Sequence, residues 1–204
     1  MIAYVESNFL LELALGQAEA PFADEILTLA EGQHVDLAYP MFSLSEPFST
    51  VTQRTRERER IASLVSAQLK ELGRSAPHLQ LVAALQHVPG ALSGVGTAEL
   101  DLLERAAARL LTAARGLITD SISFQRALAY QRQYGLQPAD AVIYAAIIVD
   151  LERQRPELPK VFISRNWKDF RDPSIPAELH SHNCRFEESF ESGLAFIRDS
   201  ALGV

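Results

Sequence analysis

The sequence predicts an α/β fold of three α/β/α layers, with a short parallel sheet between helices. Three observations carry that expectation. Short apolar runs at residues 2–5, 35–39 and 161–164 are each followed closely by segments with helical spacing, the pattern of βαβ units. Residues 141–148 are apolar on every side, as in a helix buried within such a fold. Acids stand at the ends of these runs: Glu6 after the first, Glu46 after the second, Asp140 at the start of the apolar helix and Asp169 after the last strand.

The elements follow in order. Residues 2–5 read as a buried strand, and residues 8–15 as a helix with Ser7 or Asn8 as its N-cap. Residues 21–30 place Phe22, Ile26 and Leu29 at helical spacing. The strand at 35–39 is stopped by Pro40, and 41–52 continues as a loop and helix whose first turn accepts Pro47. Residues 54–72 are helical, with Arg54, Arg56, Glu57, Arg58, Glu59 and Arg60 forming a solvated, salt-bridged face or one that contacts phosphate. Pro89, Gly90, Gly94 and Gly96 mark a loop at 88–97. Helices are expected at 97–111, 121–134 and 138 to about 154, a strand near 184–186 and a closing helix at 189–200. The whole, 1–204, reads as a single domain with a helical insertion at about 54–120.

Composition narrows the function. With 48% hydrophobic residues the chain can bury a core, so it is not disordered. A formal net charge of −7 means that the average surface does not attract nucleic acid. Any such substrate must be held by local basic patches and by metal. The single cysteine, Cys184, excludes an internal disulfide and suits a reducing cytoplasm. The first residues lack the features of a secretory signal, and no apolar run is long enough for a membrane span. A soluble, cytoplasmic protein without membrane contact is expected.

The chemistry lies with the acids. In an open α/β sheet the carboxyl ends of the strands border one crevice. Glu6, Glu46, Asp140 and Asp169 would all reach it and repel one another. Hard carboxylate oxygens gathered in this way suit Mg²⁺ or Mn²⁺, which points to metal-assisted attack on a phosphodiester. Each acid also has a plain structural reading: Glu6 capping the next helix, Glu46 and Asp140 favouring helix starts, Asp169 solvated in a loop. His180, His182 and Cys184 have the alternate spacing of one strand face, and Cys184 reads as a buried structural thiol. Trp167 is a candidate for base stacking or plain packing. There is no nucleophile elbow and no phosphate-binding glycine loop.

The order of these segments resembles the PIN-domain nucleases. Tyr4-Val5-Glu6-Ser7-Asn8-Phe9-Leu10 looks like that family's opening motif, and Pro40-Met41-Phe42-Ser43-Leu44-Ser45-Glu46 like its second acidic motif. Gly135-Leu136-Gln137-Pro138-Ala139-Asp140-Ala141 resembles its third, and Val161-Phe162-Ile163-Ser164-Arg165-Asn166-Trp167-Lys168-Asp169 its fourth. The resemblance implies a ribonuclease in which Glu6, Glu46, Asp140 and Asp169 hold Mg²⁺ or Mn²⁺. Ser7, Asn8, Ser164, Arg165 and Asn166 would orient those ligands or contact substrate. The partners it implies are RNA, a possible homodimer and, less favoured because of the long insertion, an antitoxin. Two departures stand out: Glu6 where the family usually has aspartate, and Asn166 where it often has aspartate. They leave open an alternative, a catalytically degenerate module that keeps the fold and binds RNA or a protein.

Overall fold

Short runs of β-branched, aromatic and small apolar residues become strands because the sheet buries both of their faces. The computed structural model describes residues 1–166, 168–170 and 172–201. Its strands are β1 (Ile2–Tyr4), β2 (Asp36–Pro40), β3 (Arg115–Leu117), β4 (Lys160–Ile163) and β5 (Cys184–Glu187). They form one sheet in the order β3-β2-β1-β4-β5, with every pairing parallel. The described α-helices are α1 (Ser7–Leu15), α2 (Ala20–Glu31), α3 (Ser45–Leu72), α4 (Leu79–Leu85) and α5 (Val88–Ala113). They continue with α6 (Ser121–Tyr134), α7 (Pro138–Leu151), α8 (Ser174–Ser181) and α9 (Phe190–Ala201).

Side chains alternate across the sheet, so each strand feeds two cores. Ala3, Val5, Leu37, Tyr39, Val161 and Ile163 join Phe9, Ile26, Val51, Leu103, Leu110 and Phe190 from the helices on one face. Ile2, Tyr4, Ala38, Leu117 and Phe162 join Ala127, Ile143, Tyr144, Ile147 and Leu179 on the other. This is a three-layer α/β/α arrangement. Within it α7 is enclosed: every residue from Ala141 to Leu151 is buried. Its uniform apolarity therefore reflects packing on all sides.

Strand order places the crevice. From β1 the chain moves outward to β2 and β3, and β4 and β5 then fill the other side. The direction of winding reverses between β1 and β4, the position where ligands bind in such sheets. The residues just beyond those two strands are Glu6 and Ser164.

Several expectations are corrected. Residues 88–97 are helical, as the first part of α5. Pro89 occupies the first turn, where its missing N–H costs nothing. Gly96 lies against α3, where a Cβ would come within 2.7 Å of Thr55 Cγ2, so this glycine lets two long helices approach. β3 lies inside the stretch expected to be helical. It has too few residues to show a period, and its pairing with β2 defines it. The cap of α1 is Glu6, not Ser7 or Asn8. His180 lies in the last turn of α8 and His182 is its C-cap, so these two do not share a strand face with Cys184. Cys184 is buried.

No single helix among the described residues is long and apolar enough to cross a membrane. At the amino edge of the sheet, Lys160 is only 1% exposed. Its ammonium donates to the carbonyls of Arg155 (2.8 Å), Leu158 (3.0 Å) and His182 (3.0 Å). It ties the α7–β4 loop to the α8–β5 turn. Lys160→Met fills the space but leaves three carbonyls without their donor. A loss of about 2–3 kcal/mol is expected by urea denaturation, and an unchanged midpoint would refute this role.

Candidate active site

β1 ends at Tyr4, and the chain leaves it through Val5, whose N–H bonds Ala38 O at 3.0 Å. Glu6 then adopts an extended backbone and caps α1. One carboxylate oxygen accepts from the Asn8 backbone N–H (3.0 Å), the other from Asn8 Nδ2 (2.9 Å) and from Ser164 Oγ (3.0 Å). Asn8 is the second helical residue, within the reach normally served by shorter side chains. Ser164 is fully buried at the end of β4, and its Oγ accepts the Asn166 N–H at 3.1 Å. A chain of contacts thus runs from Asn166 through Ser164 to Glu6.

The other acids approach from three further elements. A 3₁₀ turn at Met41–Leu44 follows β2, pinned by Ser43 Oγ donating to Pro40 O at 2.7 Å. It delivers the exposed Glu46 to the first turn of α3. Gly135 ends α6 with φ +67°, a left-handed turn that glycine adopts without strain. Pro138 then starts α7, and Asp140 sits half-buried in its first turn. Asp169 lies half-buried in the loop beyond β4, its N–H bonded to Asn166 O at 2.9 Å.

Electrostatics ties these elements together. Burial pushes Glu6 up to about 7; its hydrogen bonds oppose the rise and the charge of Glu46 adds to it. Burial likewise pushes Asp140 up to about 6, with the charges of Asp169 and Glu46 adding. Unit charges influence one another in this way only over short distances. Glu46 therefore acts on both Glu6 and Asp140, and Asp169 acts on Asp140. Raised carboxylates in a crevice also mark functional sites in general.

Hard oxygen donors of this kind suit Mg²⁺ or Mn²⁺. Ser7 Oγ, buried beside Glu6, has no hydrogen-bond partner among the described residues. Such an orphan oxygen is what a site lacking part of its contents leaves behind. Among the described residues, no group of three or more His, Cys, Asp or Glu side chains is arranged to hold a metal ion.

The remaining candidates divide. Arg165 turns from the crevice to pair with Glu12 and, at 3.6 Å, Glu19. Glu12 is 2% exposed and also accepts the Glu19 N–H at 3.1 Å. This pair was not foreseen; its only trace in the sequence is an acid amid the apolar residues of α1. Trp167 lies outside the described residues. Comparison with protein-family models, with curated proteins and with solved structures returns no match.

The raised Glu6 makes stability depend on pH. A group whose folded value exceeds its unfolded value of 4.5 stabilises the fold while protonated. That contribution is fully present below pH 4.5 and lost as pH rises through about 7. Glu6→Gln keeps one oxygen to accept the Asn8 N–H and removes the buried charge, which outweighs turning its amide NH₂ toward Asn8 Nδ2 and Ser164 Oγ. It is expected to be more stable than wild type by about 2 kcal/mol at pH 8, the gap closing below pH 5. Urea denaturation at both pH values measures this, and a variant no more stable at pH 8 would contradict it.

Proposed function

We propose that this protein is a metal-dependent nuclease of PIN-like type, acting on RNA in a reducing cytoplasm. The observation that supports the reading best is that the charge of Glu46 acts on both Glu6 and Asp140, and that of Asp169 on Asp140, with Glu6 just beyond β1 beside the switch point of the sheet. These four would hold the ion. A bound Mg²⁺ or Mn²⁺ supplies an activated water and neutralises charge developing on the phosphodiester.

The protein's own groups set the conditions. Asn8 and Ser164 fix the Glu6 carboxylate so that little ordering remains when a ligand arrives. Asn166 orients Ser164 through its backbone N–H. Burial at Glu6 and Asp140 weakens the competition of water for charged ligands. Ser7 Oγ is a free hydrogen-bonding group beside Glu6, suited to a bound water or a phosphate oxygen.

The test is cleavage of a mixed RNA pool in Mn²⁺ and in Mg²⁺. Cutting that requires the ion supports the reading, and no cutting in any divalent metal overturns it. One observation favours the second reading, a non-catalytic RNA- or protein-binding module. Both oxygens of Glu6 already accept hydrogen bonds, one capping α1 at the Asn8 N–H and the other taking Asn8 Nδ2 and Ser164 Oγ, so ligation of an ion competes with these bonds. In that case the protein binds RNA without cutting it.

A further inference from the structure

β5 stands at one edge of the sheet. It pairs with β4, and among the described residues no strand pairs with its other side. Lys160 N–H donates to Asn183 O, and Ser164 N–H donates to Glu187 O. The backbone groups of residues 183, 185 and 187 therefore aim at β4, and those of Cys184, Phe186 and Glu188 aim outward. This outer edge lies in a groove of about 620 Å³, with Pro176 and His180 of α8 on one side and Phe196 of α9 on the other. Side chains alternate along the strand. Arg185, its guanidinium 5.3 Å from the centre of the Phe196 ring, shares the α9 face with Glu187. Phe186 lies on the other face, 5.5 Å from Phe162. β5 has no proline to block a further strand, and its two charges are opposite in sign.

We propose that this edge pairs with a second copy of the chain, antiparallel through β5, so that two five-stranded sheets join into one of ten strands. The proposal stands apart from the nuclease reading. Charge complementarity selects the partner and the register. Outward-facing backbone must meet outward-facing backbone, so the two-fold axis passes through a residue of β5. Centred on Arg185, it sets two arginines side by side; centred on Glu187, it sets two glutamates side by side. Centred on Phe186, it sets each Arg185 opposite Glu187 of the other copy, in the close pairs of an antiparallel ladder. The outward N–H and C=O of the two Phe186 residues then bond across the axis, and Cys184 bonds with Glu188 of the other copy. This register also supplies what Glu187 lacks. Glu187 is 7% exposed, and although Arg185 of its own strand lies against it, its Oε1 accepts no hydrogen bond among the described residues. Arg185 of the other copy brings the missing donor. The two halves run in opposite directions, so their carboxylate crevices open at opposite ends of the joint sheet, and neither copy completes the site of the other.

The test is sedimentation of the full chain over a range of about 1 to 200 µM, because so short a ladder gives a modest interface and a Kd in the micromolar range. At the upper end wild type is expected to approach twice the chain mass of 22.5 kDa. Arg185→Glu alters an exposed side chain and sets an acid against Glu187 of the other copy. It is expected to weaken the dimer at least about 10-fold. Glu187→Lys sets two bases opposite each other and is expected to do the same. An equal mixture of the two variants is expected to restore the dimer, since every acid then meets a base across the axis. Wild type that stays monomeric throughout overturns the proposal, as does a dimer that Arg185→Glu leaves intact. A mixture of folded variants that stays monomeric overturns the register. Should Glu187→Lys fail to fold, Arg185→Glu decides alone, with circular dichroism checking its fold. The cleavage assay is read separately, so loss of the dimer leaves the nuclease reading standing and absence of cleavage leaves the dimer standing.

Discussion

Replacing Asp140 by asparagine is expected to lower metal-dependent cleavage by at least about 100-fold while leaving the fold intact or more stable. The separation follows from what Asp140 does in the fold. It starts no helix, since Gln137 is the cap of α7 and Pro138 the first helical residue. Among the described residues no hydrogen bond depends on its carboxylate. Burial and the charges of Asp169 and Glu46 make its ionised form costly, and asparagine removes that cost at nearly the same size. Glu6 offers no such clean test, because it also caps α1. A control comes from pH. Protons compete with a cation for these acids, so occupancy should rise as Asp140 ionises near pH 6 and Glu6 near pH 7. Manganese should therefore raise the Tm of wild type more at pH 8 than at pH 5.5, and should not raise that of Asp140→Asn. Retained cleavage in the variant, or a manganese shift equal at both pH values, would remove Asp140 from the site.

How much of this was legible in the sequence depends on the range of the interactions involved. β1, β2 and β4 are contiguous apolar runs because parallel strands are buried on both faces, and α6 and α7 show as segments bounded by Gly135 and Pro138. β3 did not show, because Arg115-Gly116-Leu117 is strand only by virtue of its pairing with β2 and the ion pair of Arg115 with Asp150 at 2.7 Å. The first half of α5 was hidden by glycines, which normally weaken helices; of these, Gly96 admits contact with α3. α4 and α8 are helices of only seven and eight residues, about two turns each, too short to show a clear period. The four acids could be located because each stands beside a strong apolar run. Arg165 could not be assigned, because its partner Glu12 lies 153 residues away and only the folded sheet brings the two together. The network that holds Asp150 to Tyr4 (2.7 Å) and Arg115 is of the same kind.

The loop that carries Asn166 and Asp169 is anchored at Phe170. This ring is 2% exposed. It meets Phe162 edge-on at 5.4 Å, Phe186 at 6.1 Å and Tyr144 at 6.1 Å. It thereby fastens the residue after Asp169 to β4, β5 and α7 at once. Phe170→Ala removes a buried ring from a packed aromatic cluster, and a loss of about 3–5 kcal/mol is expected. For a chain of this size that lowers Tm by roughly 10 °C. Phe170→Leu keeps most of the volume and should cost about 1–1.5 kcal/mol. If the nuclease reading holds, the leucine variant is the more informative one. At a temperature where it is fully folded, its kcat should still fall several-fold, because Asp169 is then held less firmly. Thermal unfolding together with cleavage at 20 °C measures both effects. Equal, small losses of stability for the alanine and leucine variants would show that the aromatic cluster does not hold the loop, and Asp169 would need another anchor.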